Sequence, residues 1–238
     1  MSGLKTLAVL ATVAVTAAAC GSPKAASDES GPLKVGVVYS QSGPLASYGA
    51  QYAEGFKAGL AYATGGSGKV KDRTVDVTYV DDAGDPVKAV AAAKDLIGKG
   101  YKVLAGSTAS GVALQVAPLA AQNKVLFVSG PAATDALTGL NKYTFRSGRQ
   151  SYQDVRTAKA YLGEGKKVLV FAPDTAFGKS NVDAVKAVIG GAGATVTDIA
   201  VPATATDFTP FASQIKAAKP SGWNRSVLPF GTAPLRAW

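Results

Sequence analysis

The chain has 238 residues, 47% of them hydrophobic, a formal net charge of +9, one cysteine and no histidine. It is too apolar to be a disordered chain and long enough for one large or two small domains with a packed core. The missing histidine excludes imidazole metal sites, Ser-His-Asp triads and imidazole acid-base chemistry, and basic residues scattered singly or in pairs such as Lys166-Lys167, without interleaved aromatics, argue against nucleic acid.

The first 20 residues predict export. Lys5, an apolar run over 7–19 and the small residues Ala17, Ala18 and Ala19 before Cys20 have the pattern of a cleavable signal peptide. The run is shorter than the ~20 residues that a membrane-spanning helix needs. Cys20 stands where bacterial lipoproteins carry the residue that is lipidated and becomes the new N-terminus. The competing reading makes Cys20 incidental in an ordinary secretory signal. Residues 21–32, GSPKAASDESGP, have the composition of a flexible stalk, in keeping with a tether.

From Leu33 onward, short β-branched runs alternate with helical periodicity. Strands are predicted over 33–39, 74–80, 103–106, 124–129, 143–146, 166–172 and 195–201. Helices are predicted over 48–63, 86–97, 110–122, 152–162, 179–189 and 210–218. Asp85-Pro86 supplies a helix cap and first residue, with Gly98 near that helix's end. Strands separated by helices of this length imply right-handed βαβ units and a parallel sheet, hence an α/β fold.

Ligands of such sheets bind at the carboxyl ends of the strands. The loops there are SQSGPLASYG (40–49), GSTASG (106–111) and GPAATDALT (130–138), all rich in hydroxyls, Gly and Ala. That composition suits close backbone approach to a small ligand with an anionic group at a helix N-terminus. Any one of these loops can equally be explained as caps and turns. GGSGK (65–69) lacks the first Gly and the final Ser/Thr of a P-loop and precedes a strand, so it reads as a turn. Asp81, Asp82 and Asp85 are either a carboxylate cluster for a metal or a strand end and a helix cap. No spacing points to Ser, Lys or carboxylate catalysis.

The strings VGVVYSQSGPLASYGAQYAEGFKAGLAY, YVDDAGDPVKAVAAAKDLI and VLAGSTASGVALQVAPLAAQNKVLFVSGPAATDALT occur in this order. Together they resemble the N-terminal half of the periplasmic-type substrate-binding proteins of branched-chain amino-acid ABC transporters, over residues 33–220. The resemblance implies a periplasmic binding protein type I-like fold, with parallel doubly wound sheets in two lobes. It also implies a non-enzymatic protein without a cofactor, which closes on its ligand by hinge motion and delivers it to a membrane permease. By the same resemblance Ser110 and the Ala132, Ala133 and Thr134 loop hold an amino acid, with hydroxyls and N–H groups on the carboxylate and a backbone carbonyl near the ammonium. Tyr48 covers the ligand from the first lobe. Phe177, where Tyr is common, is the corresponding second-lobe aromatic, or else plain packing.

The expected organisation is a signal peptide (1–20), a stalk (21–32), lobe 1 (33–147), an incomplete lobe 2 (148–220) and an atypical tail (221–238). The tail holds both tryptophans and no acidic residue; it reads as an aberrant terminus, or else as a genuine terminal strand or membrane-contacting tail. The expectation is a membrane-anchored, extracytoplasmic lipoprotein, truncated, that binds branched-chain or related small amino acids or amides for an ABC permease. Two other readings stay open: a doubly wound hydrolase using Ser or Asp, and a ligand sensor without a transporter.

Overall fold

The computed structural model describes residues 31–160 and 165–221. The expectations for the signal peptide, Cys20, most of the stalk and the tail beyond Ser221 therefore lie outside the described residues, as does the end of the predicted 152–162 helix.

In chain order the elements are β1 (Leu33–Tyr39), α1 (Ala46–Ala63), β2 (Lys69–Val70), β3 (Arg73–Asp81), α2 (Pro86–Gly98), β4 (Val103–Gly106), α3 (Ser110–Gln122), β5 (Leu126–Ser129), a 3-10 turn (Asp135–Leu137) and β6 (Thr144–Arg146). Then follow α4 (Ser151–Lys159), β7 (Lys167–Pro173), α5 (Ala176–Val188), a second 3-10 turn (Gly190–Ala192), β8 (Thr195–Val201) and α6 (Thr209–Ala218). The first sheet has the order β2-β3-β1-β4-β5-β6, parallel except for the β2–β3 hairpin. β7 and β8 form a second, parallel sheet.

Alternation along the central strands sends successive side chains to opposite layers. Val38, Leu104 and Phe127 pack with Ala89, Ala93 and Leu96 of α2 and with Val112, Val116 and Ala120 of α3. Val35, Val37, Tyr39 and Ala105 face the other way, against Tyr52, Ala53 and Phe56 of α1. The sheet is thus wound on both faces. The second sheet repeats the arrangement, with Val155 of α4 and Ala184 of α5 near Val168, and Phe171 stacked edge-on with Phe208 and Phe211 on the α6 side.

Helix ends explain the small shifts from the predicted boundaries. Asp85 caps α2, its carboxylate accepting from the N–H groups of Val87 and Lys88 at 2.7 and 3.3 Å. The left-handed residue ending α2 is Gly100 (φ 86), two positions beyond the predicted stop near Gly98. α3 ends in a Schellman motif, in which Val125 N–H reaches Ala120 O and Lys124 N–H reaches Ala121 O. Lys124 there has φ 55, so β5 starts at Leu126 and not at Lys124. The GGSGK segment is a turn leading into β2, which sequence periodicity did not show.

Candidate functional site

The chain runs from β1 outward to β3 on one side and then crosses back from β3 to β4 on the other, so the crevice between β1 and β4 is the topological switch point of the first sheet. At the carboxyl ends of these strands the backbone N–H of Ser40 donates to Thr108 Oγ1 at 3.0 Å, which joins the loops after β1 and β4. Asp82 joins the end of β3 to them. Its Oδ1 accepts from Ser40 Oγ at 2.8 Å and from Gly84 N–H at 2.7 Å.

Ser110 is the first residue of α3, and among the described residues no side chain caps the start of that helix. Such a terminus carries unsatisfied donors and a partial positive charge. Thr134 N–H donates to Ser110 Oγ at 3.3 Å, which brings the predicted 132–134 loop onto the start of α3. Ser110, Ala132, Ala133 and Thr134 are all buried. The hydroxyls of Ser107 and Ser129, at the ends of β4 and β5, are buried with no partner among the described residues.

Sequence reasoning missed the residue that holds this loop. Arg146, at the end of β6, donates to Ala132 O and Thr134 O at 2.9 Å each, to Arg149 O at 2.6 Å and to Thr138 Oγ1 at 3.1 Å. Ala133 O accepts from Ser151 N–H at 2.9 Å. All three loop carbonyls therefore receive a donor from within the chain. Arg146 gives no local sequence signal, being one basic residue after a short strand.

Tyr48 and Phe177 occupy equivalent places in the two halves. Each lies half-buried in the first turn of the helix that follows the first strand of its sheet, and each directly precedes a glycine. A β-carbon at Gly49 would collide with the carbonyl of Ser40, and one at Gly178 with that of Pro173. Only glycine lets each helix start against the end of its strand, and this places the aromatic at the carboxyl edge. Phe177 lies inside α5, which begins at Ala176, earlier than the predicted start at 179; Thr175 Oγ1 caps it by accepting from Gly178 N–H at 3.1 Å.

The aspartates serve the loops. Asp81 ends β3, and its Oδ1 accepts from the N–H groups of Gln41, Ser42 and Ala83 while Oδ2 accepts from Ser42 Oγ at 2.6 Å. These donors, the Ser42 hydroxyl foremost, lower its pKa to about 2. Asp82 is fully buried, and that desolvation raises its pKa. The strand-end and capping reading of Asp81 and Asp85 accounts for their contacts.

Two cavities, of about 620 and 330 Å³, lie between α4 and α5; Tyr152 lines both, with Arg156 and Lys159 in the larger and Asp135 and Asp183 in the smaller. Neither is lined by Tyr48, Ser110, Ala132, Ala133, Thr134 or Phe177.

The periplasmic binding protein family profile matches residues 32–231. The Leu/Ile/Val-binding protein BraC3 of Rhizobium johnstonii is 31% identical over 221 residues, covering 91% of this chain and 58% of its own length. A solved ABC-type branched-chain amino acid transporter protein of Rhodopseudomonas palustris is 35% identical with a TM-score of 0.61, and a solute-binding protein of the same organism, in complex with 4-hydroxybenzoate, is 29% identical with a TM-score of 0.70. Both alignments cover 79% of this chain and 52% of the solved one. The chain thus spans about half the length of the relatives it matches.

Proposed function

The chain belongs to the periplasmic binding protein family, and we propose that it captures a small carboxylate-bearing solute outside the cytoplasm for an ABC transporter permease. The observation that carries this reading is the junction of Ser110 Oγ with Thr134 N–H at the side-chain-uncapped start of α3, on the switch-point edge of the sheet. Hydroxyls and N–H groups gathered at a helix N-terminus suit a carboxylate. Tyr48 and Phe177 are the aromatics that cover the ligand from the two halves. Branched-chain amino acids are the first ligand class, in line with the names of the Leu/Ile/Val-binding relatives. Aromatic acids are the second, because a relative binds 4-hydroxybenzoate and the groups assembled here address the carboxylate that both classes share.

Titration calorimetry with leucine, isoleucine, valine and 4-hydroxybenzoate tests the reading, with chromatographic recovery of the ligand. Saturable binding, full recovery of unchanged ligand and a loss of tenfold or more in affinity for Ser110→Ala are expected, the range for a hydrogen bond to a charged group. Chemical change in any ligand, or an affinity within twofold of wild type for Ser110→Ala, overturns it.

A further inference from the structure

Asp135 and Ser180 meet across the two halves of the molecule. Asp135 directly follows Thr134 and opens the 3-10 turn after β5, in the half built on the first sheet. Ser180 lies in α5, one helical turn after Phe177, in the half built on β7 and β8. The N–H of Asp135 donates to Ser180 Oγ at 2.9 Å, and the Ser180 hydroxyl donates to Asp135 Oδ2 at 3.1 Å. Ser180 thus accepts from and donates to the same residue, a two-point clasp, and it is 7% exposed. The Asp135 carboxylate also accepts the Tyr152 N–H at 3.1 Å, which fixes its orientation at the start of α4.

We propose that this pair is a latch that holds α5, and with it Phe177, closed over the 132–134 loop. The proposal rests on the ligand-capture reading for its purpose, while its geometry stands apart from it. Residues three apart on a helix share a face, so Ser180 and Phe177 move together. Ser110 and Thr134 are only 4% and 2% exposed with the latch made, and α5 also packs against α3. A solute reaches their polar groups when α5 withdraws and is held when the clasp closes again. Asp135 and Ser180 are positioning residues: they act through Phe177 and Thr134. Loss of the clasp lowers the closed population, and the apparent affinity falls with it.

Spin labels on the exposed positions 51 and 216, in a Cys20→Ser, Gln51→Cys, Lys216→Cys background of the full chain, report the separation of α1 and α6 by pulsed electron resonance. One narrow distance distribution is expected for the parent, a longer and broader one for Ser180→Ala and for Asp135→Ala, and no further change in the double variant. Ser180→Thr, which keeps the hydroxyl, is expected to restore the parent distribution. With leucine and 4-hydroxybenzoate as probes, Ser180→Ala is expected to raise Kd about tenfold or more, the effect of a hydrogen bond to a charged group. A parental distribution in Ser180→Ala, or a broad one in the parent, overturns the latch. Absence of binding by either probe to any version overturns the ligand reading for these classes, and the ligand-free distances still decide the latch.

Discussion

Arg146 donates to the carbonyl oxygens of Ala132 and Thr134 at 2.9 Å each and so spans both ends of the loop that meets the start of α3. A guanidinium achieves this because its five N–H groups form a rigid planar fork.

Replacing that fork is expected to loosen the loop. Arg146→Gln should destabilise the chain by about 1.5–3 kcal/mol, the range for hydrogen bonds from a charged group. Arg146→Lys should recover only part of the loss, since an ammonium cannot bridge two carbonyls in the same way. Urea denaturation decides it, and equal stability of the Lys variant and the wild type would show that charge alone suffices.

Two glycines of α1 are expected to respond to alanine with opposite signs. At Gly49 a β-carbon meets the Ser40 carbonyl, whereas at Gly55 it meets nothing within 4 Å. Gly49→Ala should cost about 1–3 kcal/mol through forced helix displacement. Gly55→Ala should gain about 0.5–1 kcal/mol from the lower entropy of the unfolded chain. Melting curves of the two variants give the comparison, and two shifts of the same sign would contradict it.

Neighbouring aspartates should titrate apart. Asp81 has its pKa lowered to about 2 by the Ser42 hydroxyl and the loop N–H groups. Its stabilising effect is therefore complete above the ordinary value of 3.8 and is lost as pH falls through about 2. The pKa of Asp82 is raised by burial, so its ionisation opposes folding, and that opposition is relieved as pH falls through the raised value. Carboxyl-carbon NMR titration should show Asp82 protonating at clearly higher pH than Asp81. The reverse order would refute the assignment.

The expected lipid anchor is assigned to Cys20, which lies outside the described residues. Cys20→Ala should abolish incorporation of a clickable fatty acid and release the protein from the membrane fraction, since a lipid anchor supplies the hydrophobic attachment. Undiminished labelling would show that Cys20 is not the modified residue.

The strand and helix alternation was legible because β-branched runs and helical periodicity agree with the buried layers. The predicted bounds of β1, β4, α3 and β8 match the observed ones. The β2–β3 hairpin was not legible, since its two-residue turn is Lys71-Asp72, with φ 47 and 65, where glycine or asparagine would have signalled it. Within the candidate site, Ser110 and the 132–134 loop were singled out from loop composition and the family resemblance. Arg146, the Asp135–Ser180 pair and the loop contacts of Asp82, which the sequence marks only as a strand end or a metal candidate, were not. Their roles depend on partners as far as 45 residues away, a separation that no local pattern records.

The first sheet tapers toward both sides. β3 and β1, near its middle, have nine and seven residues, whereas the outermost strands among the described residues, β2 and β6, have two and three. A long, flat outer strand would offer a neighbouring molecule a row of open backbone groups to extend by its own strand. On the β6 side the row stops after three residues, but on the other side β2, with Lys69, pairs only with Arg73 and Thr74, and beyond them β3 has no partner strand on that side among the described residues. Edge-to-edge pairing between crowded copies is therefore limited to three residues on the β6 side, whereas the length of β3 beyond Thr74 is where a neighbouring strand would add.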